Sequence, residues 1–564
     1  MLRLAPWLIG SLLVGPILAG LAMAVLPAFG YLPALGGESF SLTPWRELFA
    51  QPGLVRSVAI SLASGLATTA VSLAVVLLFL AGTSGSRLDH WIRRLISPLL
   101  SIPHAAAAFG LAFLIAPSGL LARLASPGVT GWERPPDALI VQDPWGLSLM
   151  AGLVIKEIPF LLLMSLAALP QLDPQRRVAM ARSLGYRPTL AWLKVVAPAL
   201  YPLIRLPVYA VIAYASSVVD VAMILGPTLP PTLAVSILTW FHDPDLSRRF
   251  MASAGALLQL GVTLTALLIW WGLECLVRRL GRGWVEAGQR RRGDLVLRTA
   301  GKTLILLAGI TALVGIAGLA LNSLAGFWRF PDALPQAFTL LHWQRALPSL
   351  AGPVASTLLI AVVSTLLALA LTLAALENEQ RTGRHPDQGR VLSAMGLLYL
   401  PLIVPQIAFL FGLVVVVESL GTRPTHGLVI FGHLLFVLPY VFLSLSEAYR
   451  RLDPRWSRLA LTLGASHNAI FWRVRLPMLL APLLTAMAVG LAVSIGQYLP
   501  TQLLGAGRIP TVTTEAVSLA AGGNRRLIGV WALVQASLPL VGFIIAVGLP
   551  RLLWSHRRGM QGAP

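Results

Sequence analysis

The sequence predicts an all-α polytopic membrane protein of about twelve transmembrane helices, arranged as two homologous six-helix halves. Three observations carry this. Of the 564 residues, 56% are hydrophobic and 12% charged, at a mean hydropathy of +0.78, whereas soluble chains carry about 25% charged residues. Apolar stretches of the roughly 20 residues needed to cross a bilayer recur along the whole length. A basic, glycine-hinged segment occurs twice, once around Gly185 and once around Gly464. The composition excludes a water-soluble enzyme, and so apolar a chain is not intrinsically disordered. The single cysteine, Cys275, rules out an internal disulfide or a cysteine-based metal site.

In the first half, spans are expected near 7–28, 55–81, 95–116, 147–169, 200–226 and 250–277. In the second they are expected near 303–324, 353–376, 391–417, 427–446, 479–504 and 527–550. A basic connector from Arg278 to Lys302 separates the halves. The domains are therefore read as 1–280, a basic linker 281–302, and 303–564. Residues 1–28 carry Arg3 and a cleavage-like Ala22-Met-Ala24. The apolar run is longer than the about 7–15 residues of a secretory signal, so it reads as a retained span.

Forty-three Lys and Arg against 22 Asp and Glu give a net charge of +21. In a soluble protein that excess points to nucleic acid; here its placement decides. Alternate connections hold 29 basic residues and the remaining ones 12, with Lys156 and Arg205 inside spans. This is the positive-inside pattern. It puts both termini and the basic loops on the cytoplasmic side and removes nucleic acid as a partner, leaving membrane lipid. Trp7, Trp91, Trp145, Trp240 and Trp554 fall near span ends, where an interfacial belt places them.

The repeated segment lies between the fourth and fifth spans of each half. Residues 172–198 read LDPQRRVAMARSLGYRPTLAWLKVVAP and residues 452–477 read LDPRWSRLALTLGASHNAIFWRVRLP. The spacing from Gly185 to Pro198 is the same as that from Gly464 to Pro477. Such a match at corresponding positions implies duplication. Each copy reads as two short helices. Asp173 and Asp453 are expected N-caps, followed by Pro174 and Pro454 at the first helical position. Val178, Ala181 and Leu184 recur on one face, as do Trp456, Leu459, Ala460 and Leu463. Gly185 and Gly464 are expected C-caps with positive φ. A second helix carries Leu190, Leu193 and Val195, or Ile470, Phe471 and Val474.

On these residues the chain resembles the permease subunits of binding-protein-dependent ABC importers, whose cytoplasmic loop reads EAA-x3-G-x9-I-x-LP. Val195 and Val474 stand in the isoleucine place, Pro198 and Pro477 in the proline place, and Leu476 in the leucine place, where the first copy has Ala197. The Glu-Ala-Ala corresponds to Ala179-Met180-Ala181 and Arg458-Leu459-Ala460, so the acidic residue is missing from both copies. In layout the chain is similar to the fused, two-copy permeases of the ferric-iron and thiamine branch.

The resemblance implies the type I importer permease fold in a bacterial inner membrane. It implies two cytoplasmic ATPase subunits, each docking on one loop, and a periplasmic binding protein delivering solute to the outer mouth. Ala179, Ala181, Leu184, Gly185, Val195 and Pro198 would transmit force in one loop, and Arg458, Leu459, Ala460, Leu463, Gly464, Val474 and Pro477 in the other. Arg182, Arg187, Arg458 and Arg473 would either add charge contacts or form solvated rims. ATP hydrolysis would belong to the partner. Gly301-Lys302-Thr303 looks like the end of a P-loop, but the glycine required five residues earlier is Val296.

Ionisable residues inside spans are costly and point to function. Lys156 and Glu157 are adjacent beside Pro159 and project about 100° apart on a helix. Asp220 and Gln497 lie at comparable depths late in spans 5 and 11, and either face the solute or cap helix ends at the outer interface. Glu274 and Cys275 read as structural, with Arg278 one turn away, and Glu418 as a span end. His426 and His433 are seven apart, without carboxylates beside them. No catalytic set, metal site or cofactor site is expected. Ser97-Pro98 with Ile102-Pro103-His104 has a counterpart in Leu400-Pro401 with Val404-Pro405-Gln406, and matched helix breaks point to a substrate path. The alternative reading is a twelve-span secondary transporter driven by an ion gradient, which leaves the paired loops unexplained.

Overall fold

A computed structural model describes residues 2–83, 101–288, 290, 294–382 and 388–553, with 388–395 as backbone alone. Trp91, Trp554, Ser97-Pro98 and the start of the span near 95–116 lie outside the described residues. The chain is all α among them, with two isolated bridges. Among the described residues ten helices are long and apolar enough to cross a membrane, or up to twelve if two bent pairs each count as one span.

The first half contributes α1 (Ala5–Ala28), α2 (Leu54–Thr83), α3 (His104–Ile115), α4 (Leu147–Ala168), the loop helix α5 (Pro174–Ser183), α6 (Ala197–Ser217), the short α7 (Asp220–Leu225) and α8 (Arg248–Glu286). The second contributes α9 (Leu295–Leu324), α10 (Leu341–Thr382), α11 (Gln388–Ile403), α12 (Gln406–Ser419), α13 (His426–Arg450), the loop helix α14 (Pro454–Thr462), α15 (Leu480–Ile495), α16 (Leu499–Leu504) and α17 (Arg525–Leu553).

Four expected stretches differ. The span near 200–226 is broken after Ser217, where Val218 is extended (φ −64°, ψ 138°). Ser216 and Ser217 both donate to the Ala213 carbonyl, at 3.0 and 2.7 Å, and such back-bonding competes with the helical ladder. The span near 479–504 breaks at the corresponding place, between Ile495 and Leu499. The span near 391–417 is two helices bent by 88° at Val404-Pro405, since Pro405 has no N–H to continue the ladder. Of the linker 281–302, helix occupies most: α8 runs to Glu286 and α9 begins at Leu295.

The halves are exchanged at their first helices. The backbones of Gly20 on α1 and Gly412 on α12 cross so closely that a Cβ on Gly412 would meet the Gly20 carbonyl oxygen at 1.7 Å. Gly110 on α3 and Gly315 on α9 make the matching crossing, a Cβ on either coming within about 3 Å of the other's backbone. Small residues permit such approach in membranes. Each half's leading helix therefore packs on the other half's third span. Among the described spans α2, α3, α4 and α13 are the most buried; α1, α8, α9 and α17 form the periphery.

Candidate functional site

At one end of the bundle the paired loops share one backbone plan. In the first, the Gly185 N–H bonds the Arg182 carbonyl at 2.9 Å and the Tyr186 N–H bonds Ala181 at 3.3 Å. In the second, Gly464 bonds Leu461 at 2.9 Å and Ala465 bonds Ala460 at 3.0 Å. These are the closing bonds of a helix ended by a left-handed residue, and φ is +90° at Gly185 and +81° at Gly464. Each loop then passes through a π-turn, Trp192–Val196 or Phe471–Arg475, at the same distance beyond its glycine. Sequence periodicity gives no warning of these π-turns.

The expected N-caps differ. Asp453 accepts from the Arg455 N–H at 2.9 Å. Asp173, after the 3-10 turn Leu169–Leu172, sits in the left-handed region (φ +45°) and not in the extended conformation of an N-cap, and its side chain makes no capping hydrogen bond. The expected apolar faces divide as well. Val178 and Ala181 turn inward, Val195 is half-buried, and Ala179, Leu184, Gly185 and Pro198 are exposed. Leu184 lies beyond the last helical turn, at the C-cap, and so leaves the face it was assigned to. In the second loop Arg458, Leu459, Leu463 and Gly464 are exposed, while Ala460, Val474 and Pro477 are half-buried. Leu184 is 59% exposed and Leu463 79%, a large apolar display for groups that burial would stabilise.

Between the halves lies a polar cluster at the helix breaks. Lys156 and Glu157 go to different partners: Lys156 Nζ donates to the Ile102 carbonyl at 2.5 Å, and Glu157 faces His104 Nε2 at 3.5 Å. His104 packs on Tyr214 with ring centroids 4.9 Å apart. Asp220, in the first turn of α7, is buried within electrostatic reach of His104, Tyr214 and Tyr498. Tyr440 lies within similar reach of Glu157 and Tyr399. Phe160 meets Tyr440 edge-on at 6.4 Å. These two rings follow Pro159 and Pro439, which stand at corresponding places upstream of the two loops, so residues at matching sequence positions touch. The first half supplies the charges and the second mainly phenols.

Gln497 is half-buried and its side chain makes no hydrogen bond among the described residues, while the adjacent Tyr498 lies within electrostatic reach of Asp220. His104 belongs to the helix break Ile102-Pro103-His104 that the sequence marks as a substrate path, whereas Tyr214, Tyr440 and Tyr498 carry no such signal. Extending the alignment of the two loops upstream, to Ile158-Pro159-Phe160 and Leu438-Pro439-Tyr440, would have found the central ring pair.

Backbone groups freed at the breaks are re-satisfied by side chains, as membrane burial requires. Gln259 Nε2 donates to the Ser216 carbonyl at 3.1 Å. Its counterpart Gln535 Nε2 donates to Thr513 at 2.8 Å, and Thr513 donates to the Ile495 carbonyl at 2.5 Å. His433 bridges Ser494 and Thr501, each at 2.8 Å. Glu274 pairs with Arg205 at 2.8 Å, not with Arg278, since both face the α6–α8 seam. Among the described residues no three His, Cys, Asp or Glu stand close enough to hold a metal ion. Gly301-Lys302-Thr303 lies inside α9, with Gly301 against the backbone of Leu78.

Comparison with known proteins agrees with this architecture. Residues 392–550 match the family model of the binding-protein-dependent transport system inner membrane component. The chain is 31% identical, over 98% of both chains, to the inner membrane ABC transporter permease protein YnjC of Escherichia coli (strain K12). It is 25% identical, over 73% of both chains, to the thiamine transport system permease protein ThiP of the same organism. It is 25% identical to the putative 2-aminoethylphosphonate transport system permease protein PhnV of Salmonella typhimurium, over 37% of this chain and 78% of that one.

Proposed function

The chain belongs to the ABC transporter inner membrane permeases of the binding-protein-dependent family, and from that premise we propose that it forms the whole solute pathway of an ATP-driven importer. Residues 1–280 and 303–564 act as the two permease halves, joined by the linker 281–302. Two separate ATPase subunits dock on the loops 172–198 and 452–477, and a solute-binding protein delivers to the opposite end. Positive-inside charge puts both loops and both termini in the cytoplasm.

The observation that carries this reading is the pair of loops of one backbone design, each holding bulky apolar side chains out to solvent. Leu184, Leu459 and Leu463 are the anchors for the ATPase surface, and Gly185 and Gly464 set the angle at which each short helix is presented. Drawing the ATPases together swings the loops as rigid bodies and reorients the two halves about their shared axis. Solute then passes the polar cluster of Glu157, His104, Asp220, Tyr214 and Tyr440, where the helix breaks provide a hydrated route.

The test is co-purification of the chain with its ATPase subunit. Leu184→Asp together with Leu463→Asp is expected to reduce recovery of the ATPase at least ~10-fold, the effect of removing buried apolar anchors, while the permease itself stays folded. Undiminished recovery would overturn the docking role. Uptake that persists without ATP and collapses with a protonophore would favour the ion-driven alternative instead.

A further inference from the structure

The end of the bundle opposite the loops carries a pocket that the transport reading leaves unused. It has a volume of about 280 Å³ and is lined by Arg123, Arg525, Arg526, Asn322, Asn524 and Trp328 among others, with no Asp or Glu in its wall. Arg123 is buried, stacked 4.5 Å from the Trp328 ring and 5.5 Å from Phe330. Its guanidinium donates to the carbonyls of Ser118 (3.0 Å), Arg329 (2.8 Å) and Asp332 (3.2 Å). Arg525 donates to the same Ser118 carbonyl at 3.2 Å. One neutral oxygen thus holds two cations side by side. Arg526 forms no hydrogen bond or ion pair among the described residues. Asp332 lies within reach of Arg123 and offsets one of the three charges.

The arrangement is costly without an anion, because like charges repel more strongly away from bulk water. The first turn of the long helix α17, capped by Asn524 Oδ1 on the Leu527 N–H at 3.3 Å, adds N–H groups and a positive dipole end beside the arginines. Location identifies the anion. The pocket is bounded by the ends of α9 and α17, peripheral helices whose flanks display Leu306, Leu307, Ile310, Leu313, Val541 and Ile544. An aromatic ring and arginines at the ends of two helices with exposed apolar flanks are the residue types that meet phospholipid head groups at a membrane interface. Guanidinium forks are suited to phosphate oxygens.

We propose that this pocket binds the phosphate of an anionic phospholipid head group in the leaflet opposite the loops. The site holds the phosphate between Arg525 and Arg526 while Arg123 and Trp328 form its floor. The same chemistry would accept free phosphate, and the experiment separates the two sources.

Full-length protein is reconstituted in nanodiscs of phosphatidylcholine containing a minority of phosphatidylglycerol, extracted into mild detergent, and its retained lipid is measured by mass spectrometry. Wild type is expected to retain phosphatidylglycerol selectively. Arg525→Gln with Arg526→Gln is expected to lower retention about 10-fold. Arg526→Gln alone, which removes no contact within the protein, is expected to lower it several-fold at unchanged melting temperature. Excess inorganic phosphate leaves the lipid in place if the site is built for the head group. Displacement by phosphate at matching affinity supports the phosphate chemistry with a free anion as its source. Equal retention of both lipids, or variants indistinguishable from wild type, would overturn the proposal. So would a photo-crosslinker at Asn524 that captures an acidic segment of a water-soluble protein while no lipid is retained.

Discussion

The two loops have the same backbone and are fastened by different means. The first is held by the connector between the halves. Lys194, buried, donates to the Trp284 carbonyl at 2.9 Å and lies over the rings of Trp284 and Tyr186 at 4.8 and 5.1 Å. Arg290 covers Tyr186 from 6.0 Å, and Asp294 accepts the Thr189 N–H and faces Arg187 at 3.8 Å. The second loop is held by the overlong helix α10. Glu377, buried, accepts from Arg475 and Arg381 at 2.7 Å each and from the Tyr449 hydroxyl. Arg381 also reaches Asn468 at 3.0 Å, and Glu379 pairs with Arg450 at 2.9 Å. The first anchor is mostly cation on aromatic ring, the second a buried carboxylate shared by two guanidinium groups. What both copies keep is the glycine hinge and the π-turn. How the loop is tied down has been free to diverge, because only its presented shape must match.

The comparison is tested hardest at Glu377. Leaving two arginines without their buried carboxylate should be expensive, and Glu377→Gln is expected to cost ~3 kcal/mol of stability. Limited proteolysis should then cut 452–477 before 172–198. If both loops are cut at equal rates, the second anchor is not separate from the first.

The hinges should behave alike where the anchors differ. Gly464→Ala and Gly185→Ala each force a side chain into the left-handed region, at ~1 to 2 kcal/mol. Thermal melts of the two variants should shift equally. A shift confined to one would show that an anchor, and not the turn, sets that loop's shape.

The halves also differ at the start of their fourth spans. Asp143 accepts from the N–H groups of Trp145 (3.1 Å), Leu147 (2.9 Å) and Ser148 (2.8 Å) and from the Ser148 hydroxyl (2.8 Å). Burial opposes its charge, but these bonds together hold the carboxyl below its ordinary value. A depressed carboxyl stabilises the fold above the unfolded-chain pKa of about 3.9 and loses that contribution as pH falls through the folded value. Asp143→Asn is therefore expected to cost ~1 kcal/mol at neutral pH, a difference that disappears in acid melts. In the second half the cap is Thr425, on the Leu428 N–H at 3.3 Å. Thr425→Ala should cost less and show no such pH dependence.

The smallest effect is expected at Asp294. Its partner Arg187 is 57% exposed, so Asp294→Asn should cost about 0.5 kcal/mol or less. A loss as large as that at Glu377 would place the main anchor of the first loop in this ion pair and not in the Lys194 stack.

Much of this was legible in the sequence, for physical reasons that also explain what was missed. A bilayer demands long apolar helices, so span existence could be read directly. Chain breaks at Val218 and Gly496 could not, because Ser216, Ser217 and Gln497 are as common in intact spans as in broken ones. The loops showed themselves through Gly185 and Gly464, whose conformation is demanding enough to leave a mark. Glu377 left none: it lies one residue beyond the expected end of a span, where a carboxylate reads as ordinary solvated charge. Asp220 was singled out by its depth. Its neighbours Tyr214 and Tyr498 escaped notice because phenols are commonplace in membrane helices, and only tertiary packing brings them around one carboxylate.

The crossing of Gly20 with Gly412, and of Gly110 with Gly315, bears on biosynthesis. The ribosome releases α1 long before α12 exists, since chains are made from the N-terminus onward. Until α12 emerges the leading helix must therefore sit in lipid with only α8 of its own half to pack on and its glycine face unpaired, which its apolar surface on every side allows. A gene encoding one half alone would produce a subunit with a vacant glycine seam. Such a subunit would become whole only by meeting its complement, which joining both halves in a single polypeptide guarantees.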